Sequence, residues 1–325
     1  MPLELLRGRV TGIAERTDGL VRLEVEGRPC IAYPRLTGPV ALGDDVVVNA
    51  QAVTLGLGSG GFDVLHVNLT RGLALTAEPE AHVIKLPYTS LQHAVVHAEE
   101  RAGLVDGLSG LPVVCCTLHS QLVPVCAGIG RGRRIAYVQL AGGALPVSLS
   151  DAVRALKSAG RLEIGVAAGA CVDGDLACVG VPSALLVCAS EGYDAAVCAV
   201  GPGIVGTGSR WGHGAVAAAE AIATARALGG RPILAIRASE DDPRSRHRGI
   251  SHHTETVLRL SGDVEHAWPA GRTDGPEGAV PVDTTGWQDA CAELPLSHMG
   301  RGPDEDPLFF EAAFAAGRLA ARNRT

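Results

Sequence analysis

Residues 195–214 read AAVCAVGPGIVGTGSRWGHG, an unbroken apolar run of six residues followed by a loop holding six glycines, and an alanine-rich segment of helical period comes next. An apolar run, a glycine turn and a helix in that order are the unit of a parallel sheet whose strands are covered on both faces. The unit recurs. Leu111–Thr117, Arg134–Leu140, Leu162–Ala167 and Pro232–Arg237 are further apolar runs, and Ser148–Ser158 (capped by Ser148 or Ser150) and Gly214–Leu228 have the length and period of crossover helices. The expected fold is α/β, an open and mostly parallel sheet with helices on both faces.

Residues 1–70 follow a different pattern. Short β-favouring runs (Val10–Ala14, Leu20–Val25, Cys30–Tyr33, Val46–Val53, Val64–Leu69) alternate with turn signals such as Asp18-Gly19 and Gly43-Asp44-Asp45. This reads as a small β-barrel preceding an α/β domain over residues 71–325. Tyr33 and Phe62 are its only aromatics, too few for base stacking, so a structural or dimerising role is expected. Gly56–Phe62 joins two strand-like runs and reads as a flexible hairpin. Tyr88–Ala102 places Leu91, Val95 and Ala98 at helical spacing, predicting a helix with His93 and His97 four apart and no third zinc ligand nearby. The segment 269–306, rich in Pro, Gly and acids with one β-like run at Gly278–Asp283, is expected to wrap the surface before a final helix. Trp211 and Trp287 fall in loops.

With 46% hydrophobic residues and a mean hydropathy of +0.20, 325 residues can bury a substantial core. The net charge of −7 argues against a general nucleic-acid or anionic-membrane binder. Nine cysteines without C-x-x-C spacing read as buried thiols in a reducing cytoplasm, and neither a secretory leader nor an apolar stretch of about 18 residues is expected.

In an open parallel sheet, ligands bind beyond the carboxyl ends of the strands. Five turns are expected there: Leu118–Gln121 with His119 and Ser120, Ala141–Gly143, Gly169–Asp175, Gly201–Gly214, and Ser239–His253. Gly201–Gly206 matches G-x-G-x-x-G, yet the next strand ends near Arg237, which puts Glu240 or Asp241 more than thirty residues beyond Gly206 rather than about 20. A Walker loop lacks its Lys-Ser/Thr pair. What remains is an anion seat built from Gly203, Gly206, Thr207, Gly208 and Ser209, with Asp175, Arg237, Arg246 and His247 as further ligand-binding candidates. Residues 201–260 carry eight arginines against five acids, net +3, leaving −10 for the rest of the chain.

The cofactor stays unknown. A metal set of Asp242, His247, His252 and His253 is open, but Arg244, Arg246 and Arg248 would repel a cation unless carboxylates intervened. If Ser251 caps a helix over 254–260, His252 and His253 lie in its first turn, neutral and available as general base or oxyanion donor; a strand there is the alternative. Alanine at either is expected to weaken ligand binding while barely changing thermal stability. An enzyme acting on a small anionic metabolite and a non-catalytic sensor or assembly protein both fit, with a second copy of the chain as candidate partner.

GPGIVGTGS, GISHHT about forty residues later, LPYTSLQ, and MGRGPDEDPLFFEAAFAAGR from Met299 resemble the bacterial family catalogued as domain of unknown function 3866. The resemblance covers most of residues 60–325 and implies no reaction. Val172-Asp173 stands where the family tends toward an aromatic-glycine pair, and Ser209 where it tends toward a second threonine.

Overall fold

A computed structural model describes residues 3–57, 60–101 and 103–322. The chain forms two compact units, Met1–Val96 and His97–Thr325.

The first unit is a closed barrel of β1 (Leu5–Thr17), β2 (Leu20–Val25), β3 (Arg28–Ala32), β4 (Asp45–Asn49) and β5 (Asp63–Asn68), in the order β1-β2-β3-β5-β4, with short helices α1 (Pro34–Thr37) and α2 (Gln51–Thr54). In β2 Val21, Leu23 and Val25 face the barrel interior while Glu24 is exposed. Two expectations fail. The run 46–53 is strand only to Asn49, because the Asn49 side chain accepts the amide of Gln51 and starts the helical turn of α2. The predicted helix over 88–102 is instead a hairpin of β6 (Val83–Lys85) and β7 (His93–Val95), then a short 3-10 turn over Ala98–Glu100. Leu86 and Tyr88 have positive φ, and β-branched Val95 pairs with Val83 in the hairpin ladder. Residues 58 and 59 of the 56–62 stretch, and Ala102, lie outside the described residues.

The second unit holds β8 (Pro112–Cys116), α3 (Leu122–Ile129), β9 (Ile135–Leu140), α4 (Asp151–Ser158), β10 (Ile164–Ala168), β11 (Leu176–Cys178), α5 (Val181–Ser190), β12 (Ala195–Val200), α6 (Ala217–Ala227), β13 (Arg231–Ala235), the paired two-residue strands β14 (Ala238–Ser239) and β15 (Gly249–Ile250), α7 (His252–Ser261), β16 (Glu265–Pro269), β17 (Val280–Val282), α8 (Trp287–Cys291) and α9 (Pro307–Ala320). Eight strands form one parallel sheet, ordered β11-β10-β9-β12-β8-β13-β16-β17. One face is covered by α5, α6 and α7 through Leu185, Ile222 and Val257, the other by α3, α4 and α9 through Val125, Leu156 and Ala316. The α/β reading is therefore correct. All nine cysteines are buried and unbridged. No helix among the described residues is long and apolar enough to cross a membrane.

The connection from β8 runs to β9 on one side and that from β12 to β13 on the other. Their helices, α3 and α6, lie on opposite faces, so the two turns leave the carboxyl edge in opposite directions, the arrangement at which open parallel sheets bind ligands.

Candidate functional site

The glycines at this edge serve backbone packing. A Cβ at Gly214 would stand 1.9 Å from the Gly142 carbonyl oxygen, and one at Gly143 2.3 Å from that of Gly201. Only residues without side chains let the 141–143 and 201–214 loops lie main chain on main chain. Residues 205–214 form a small hairpin, with Thr207 N donating to Gly212 O at 2.8 Å and Gly214 N to Val205 O at 2.8 Å, and Gly206 pairs with His213 across it. At its exposed tip the Thr207 and Ser209 hydroxyls meet at 2.9 Å; Thr207 Oγ1 donates to Gly212 O, and Ser209 Oγ accepts Gly212 N. Both hydroxyls of the expected anion seat are thus engaged inside the hairpin. Gly203 and Gly208 adopt positive φ there, and the Arg246 guanidinium carbon lies 3.9 Å from where a Gly208 Cβ would be.

The second loop is clamped between β14 and β15, which pair Ala238 with Ile250 and Ser239 with Gly249. It delivers α7, and residues 252–261 are helix, not strand. Ser251 caps it: Oγ accepts His253 N at 3.2 Å and contacts His247 Nδ1 at 2.8 Å. Thr254 Oγ1 accepts the Arg237 amide at 2.9 Å, pinning the helix start to the end of β13.

His213, at the base of the glycine hairpin, packs into this helix start. Its ring stacks on His253 at 4.0 Å between centroids and meets His252 edge-on at 5.3 Å, while His247 lies 4.8 Å from His252. One nitrogen from each of His213, His252 and His253 falls within 4.8 Å of the others. Neither ring nitrogen of His213 closes a well-aligned hydrogen bond, although the Arg210 main chain offsets part of its burial, nor does His252 Nε2. All four rings are pushed below the ordinary imidazole range: His213 by burial, His247 to about 3 by burial and Arg237, His252 to about 4 by burial and its His213 and Arg246 neighbours, and His253 to about 2 by burial and Arg237. They are neutral at pH 7.

Arg237 is buried and pairs with His253 rather than facing solvent. Burial, with Arg244 beside it, lowers its own pKa to about 10. Asp242 is no free metal ligand. Its carboxylate receives Arg244 at 2.8 Å and Arg301 at 3.2 Å, with Arg237 at 3.9 Å, and although burial opposes it, these contacts hold it ionised. Arg301 also pairs with Asp306, which accepts Ser239 Oγ at 2.6 Å.

His119 and Ser120 sit at the same edge in other roles. Val200 O accepts from His119 Nδ1 at 3.1 Å, so Nε2 is the acceptor for the Ser150 hydroxyl at 2.7 Å, and Ser150 Oγ caps α4 by accepting Val153 N. His119 is a brace between β8, β12 and α4. Ser120 Oγ lies 3.2 Å from Nδ1 of His298, whose buried ring stacks on Phe309 at 3.7 Å and leaves Nε2 without a partner. The tail therefore does more than wrap the surface: it brings His298, Arg301 and Asp306 into the site. Asp175 lies at the opposite edge, bonded to Lys157 Nζ at 2.6 Å and to Gly165 N near the start of β10. Trp211 is half exposed, with Arg210 and Arg259 over its ring, whereas Trp287 is buried at the start of α8.

The family model described as protein of unknown function (DUF3866) matches residues 29–270. The chain belongs to DUF3866. The DUF3866 match takes in His119, both loops and all four clustered histidines, and ends before His298 and Arg301. No curated protein and no solved structure matches the chain.

Proposed function

We propose that this protein binds a small phosphorylated or carboxylated molecule in the crevice beyond β8, β12 and β13, and that its histidines exchange a proton with it. Arg246 carries the reading. It is exposed, has no acidic partner among the described residues, and stands against the glycine hairpin next to the imidazole cluster. The neighbouring arginines are spent internally, Arg244 and Arg301 on Asp242 and Asp306. An unpaired guanidinium beside a polar loop favours a planar two-oxygen anion such as phosphate or carboxylate. His252, half-buried with a bare Nε2, is the group with a nitrogen free to take or give a proton. Nine buried, unbridged thiols support a reducing compartment such as the cytoplasm.

Thermal-shift titration with inorganic phosphate tests the binding, with stabilisation expected for the native chain and lost in Arg246→Ala. Product analysis on any anionic metabolite that stabilises the protein then separates an enzyme from a non-catalytic ligand-binding protein. Stabilisation without turnover favours the latter.

A further inference from the structure

We infer that His213, His252 and His253 form a binding site for one divalent transition-metal ion of the zinc class; with the ion bound, His252 is a ligand in place of the proton-exchanging role given to it above, and only the role given to the ion, holding the anionic ligand, rests on that reading.

The geometry comes first. Three imidazoles, one from the glycine hairpin and two from the first turn of α7, place one nitrogen each within 4.8 Å of the other two. A tetrahedral zinc ion with bonds of about 2.0–2.1 Å needs its nitrogen ligands about 3.4 Å apart, a closure that side-chain rotation can supply. Satisfaction comes second. His213 is 5% exposed and both its ring nitrogens lack partners, and the Nε2 of His252 is buried and bare as well. A buried nitrogen left unpaired keeps the cost of its lost hydration, so a fold that aims several of them into one small volume gains from whatever binds them together. A single metal ion does this.

Charge is the standing objection, since arginines surround the second loop. Asp242 answers most of it by pairing with both Arg244 and Arg301. Arg237 is the guanidinium that touches the cluster. It can only donate, so His253 Nδ1 accepts and the ring's proton sits on Nε2. His253 joins the metal through Nε2 as the other neutral tautomer, its proton moving to Nδ1, and Arg237 gives up this hydrogen bond on metal uptake.

The donor set selects the ion. Three nitrogens with no carboxylate and no thiolate suit zinc, cobalt, nickel or copper and not magnesium or calcium, which require oxygen. Three protein ligands leave the fourth tetrahedral position open, the arrangement of catalytic rather than structural zinc sites. When bound there, the ion supplies a Lewis acid for an anionic oxygen or lowers the pKa of a water molecule.

Titration of the chelator-treated full chain with cobalt(II), read by visible d–d absorption, tests the site directly. One equivalent with a tetrahedral spectrum, displaced by zinc, is expected. His213→Gln and His252→Gln should each weaken cobalt binding by more than about 100-fold, since even changes to groups behind the ligands cost about 10–100-fold. His82→Gln, in the other unit, should leave it unchanged. Circular dichroism checks that each variant is folded; if one is not, the native spectrum and the remaining variant decide. Absence of stoichiometric cobalt binding by the native chain, or unchanged binding in the folded variants, overturns the site. Phosphate titration of the chelator-treated protein reads the anion arm alone: binding lost in Arg246→Ala with cobalt binding retained keeps both, and no phosphate binding beside intact cobalt binding removes the anion reading only.

Discussion

Nη1 of Arg237 donates to Nδ1 of His253 across 2.9 Å, and both side chains are buried, 2% and 6% exposed. The two adjacent histidines of α7 consequently differ in kind. His253 is part of a buried polar network, while the neighbouring His252 is half-buried with a bare Nε2.

Alanine at these two positions should therefore not behave alike. His253→Ala leaves the Arg237 donor unpaired in the interior and should cost about 1–3 kcal/mol. His252→Ala removes no hydrogen bond from that nitrogen and should stay within about 0.5 kcal/mol, with phosphate-dependent stabilisation weakened. Urea unfolding of both variants checks this, and equal losses would contradict it. The expectation from sequence that both would be stability-neutral is thus kept for His252 alone.

His119→Ala should be structural. Its two ring nitrogens hold Val200 O and the Ser150 hydroxyl, so the variant should lose stability by about 1–3 kcal/mol while phosphate binding persists. Phosphate binding lost without a stability change would make His119 a ligand-binding residue instead.

Stability should fall as pH drops from about 6.5 toward 4. Burial holds His119 down to about 4, and burial together with Arg237 holds His298 down to about 3, against about 6.5 in an unfolded chain. In that window the unfolded chain binds protons that the folded one refuses, so each ring subtracts up to about 1.4 kcal/mol per pH unit. A second, lower window belongs to the barrel. Hydrogen bonds from Arg71 outweigh burial and hold Asp44 at about 2, a contribution present above the ordinary carboxylate range and lost as pH falls through that value. Urea midpoints across the upper window should decline in the native chain and decline less in His119→Asn.

Gly317→Ala should destabilise the second unit. A Cβ there would lie 2.1 Å from the Val125 carbonyl oxygen, and one on Gly128 of the facing helix 2.3 Å from that of Phe314, so α3 and α9 cross with their backbones touching. Overpacking of this kind costs about 1–3 kcal/mol, measurable by urea unfolding, and a neutral substitution would show that the crossing can open.

The strands and crossover helices were readable because apolar runs of Val, Ala and Cys stand between glycine turns, and Ala195–Val200 is strand at both predicted ends. The loops around the site were readable as polar and basic, but their mutual geometry was not. His213 lies 39 residues before His252 in a stretch read for its glycines, and only the hairpin pairing of Gly206 with His213 turns its ring toward α7. His298 and Arg301 belong to a segment whose composition says loop and nothing more. Asp175 was misplaced because residues 169–175 run back along β10, so that Asp175 N reaches Gly165 O before β11 begins in parallel. Seven residues of turn-like composition do not reveal that they cross the full height of a sheet.

The contact of Gly142 with Gly214 bears on what binding at the proposed site would cost. Because two loops share main-chain contact with no side chains between them, the hairpin that carries His213 is a fixed deck fastened to the end of β9. The ligand proposed for this site would find one wall already in place and spend little of its interaction energy on ordering it. Arg246, exposed and close to the hairpin, would then be the side chain left to order when that ligand binds.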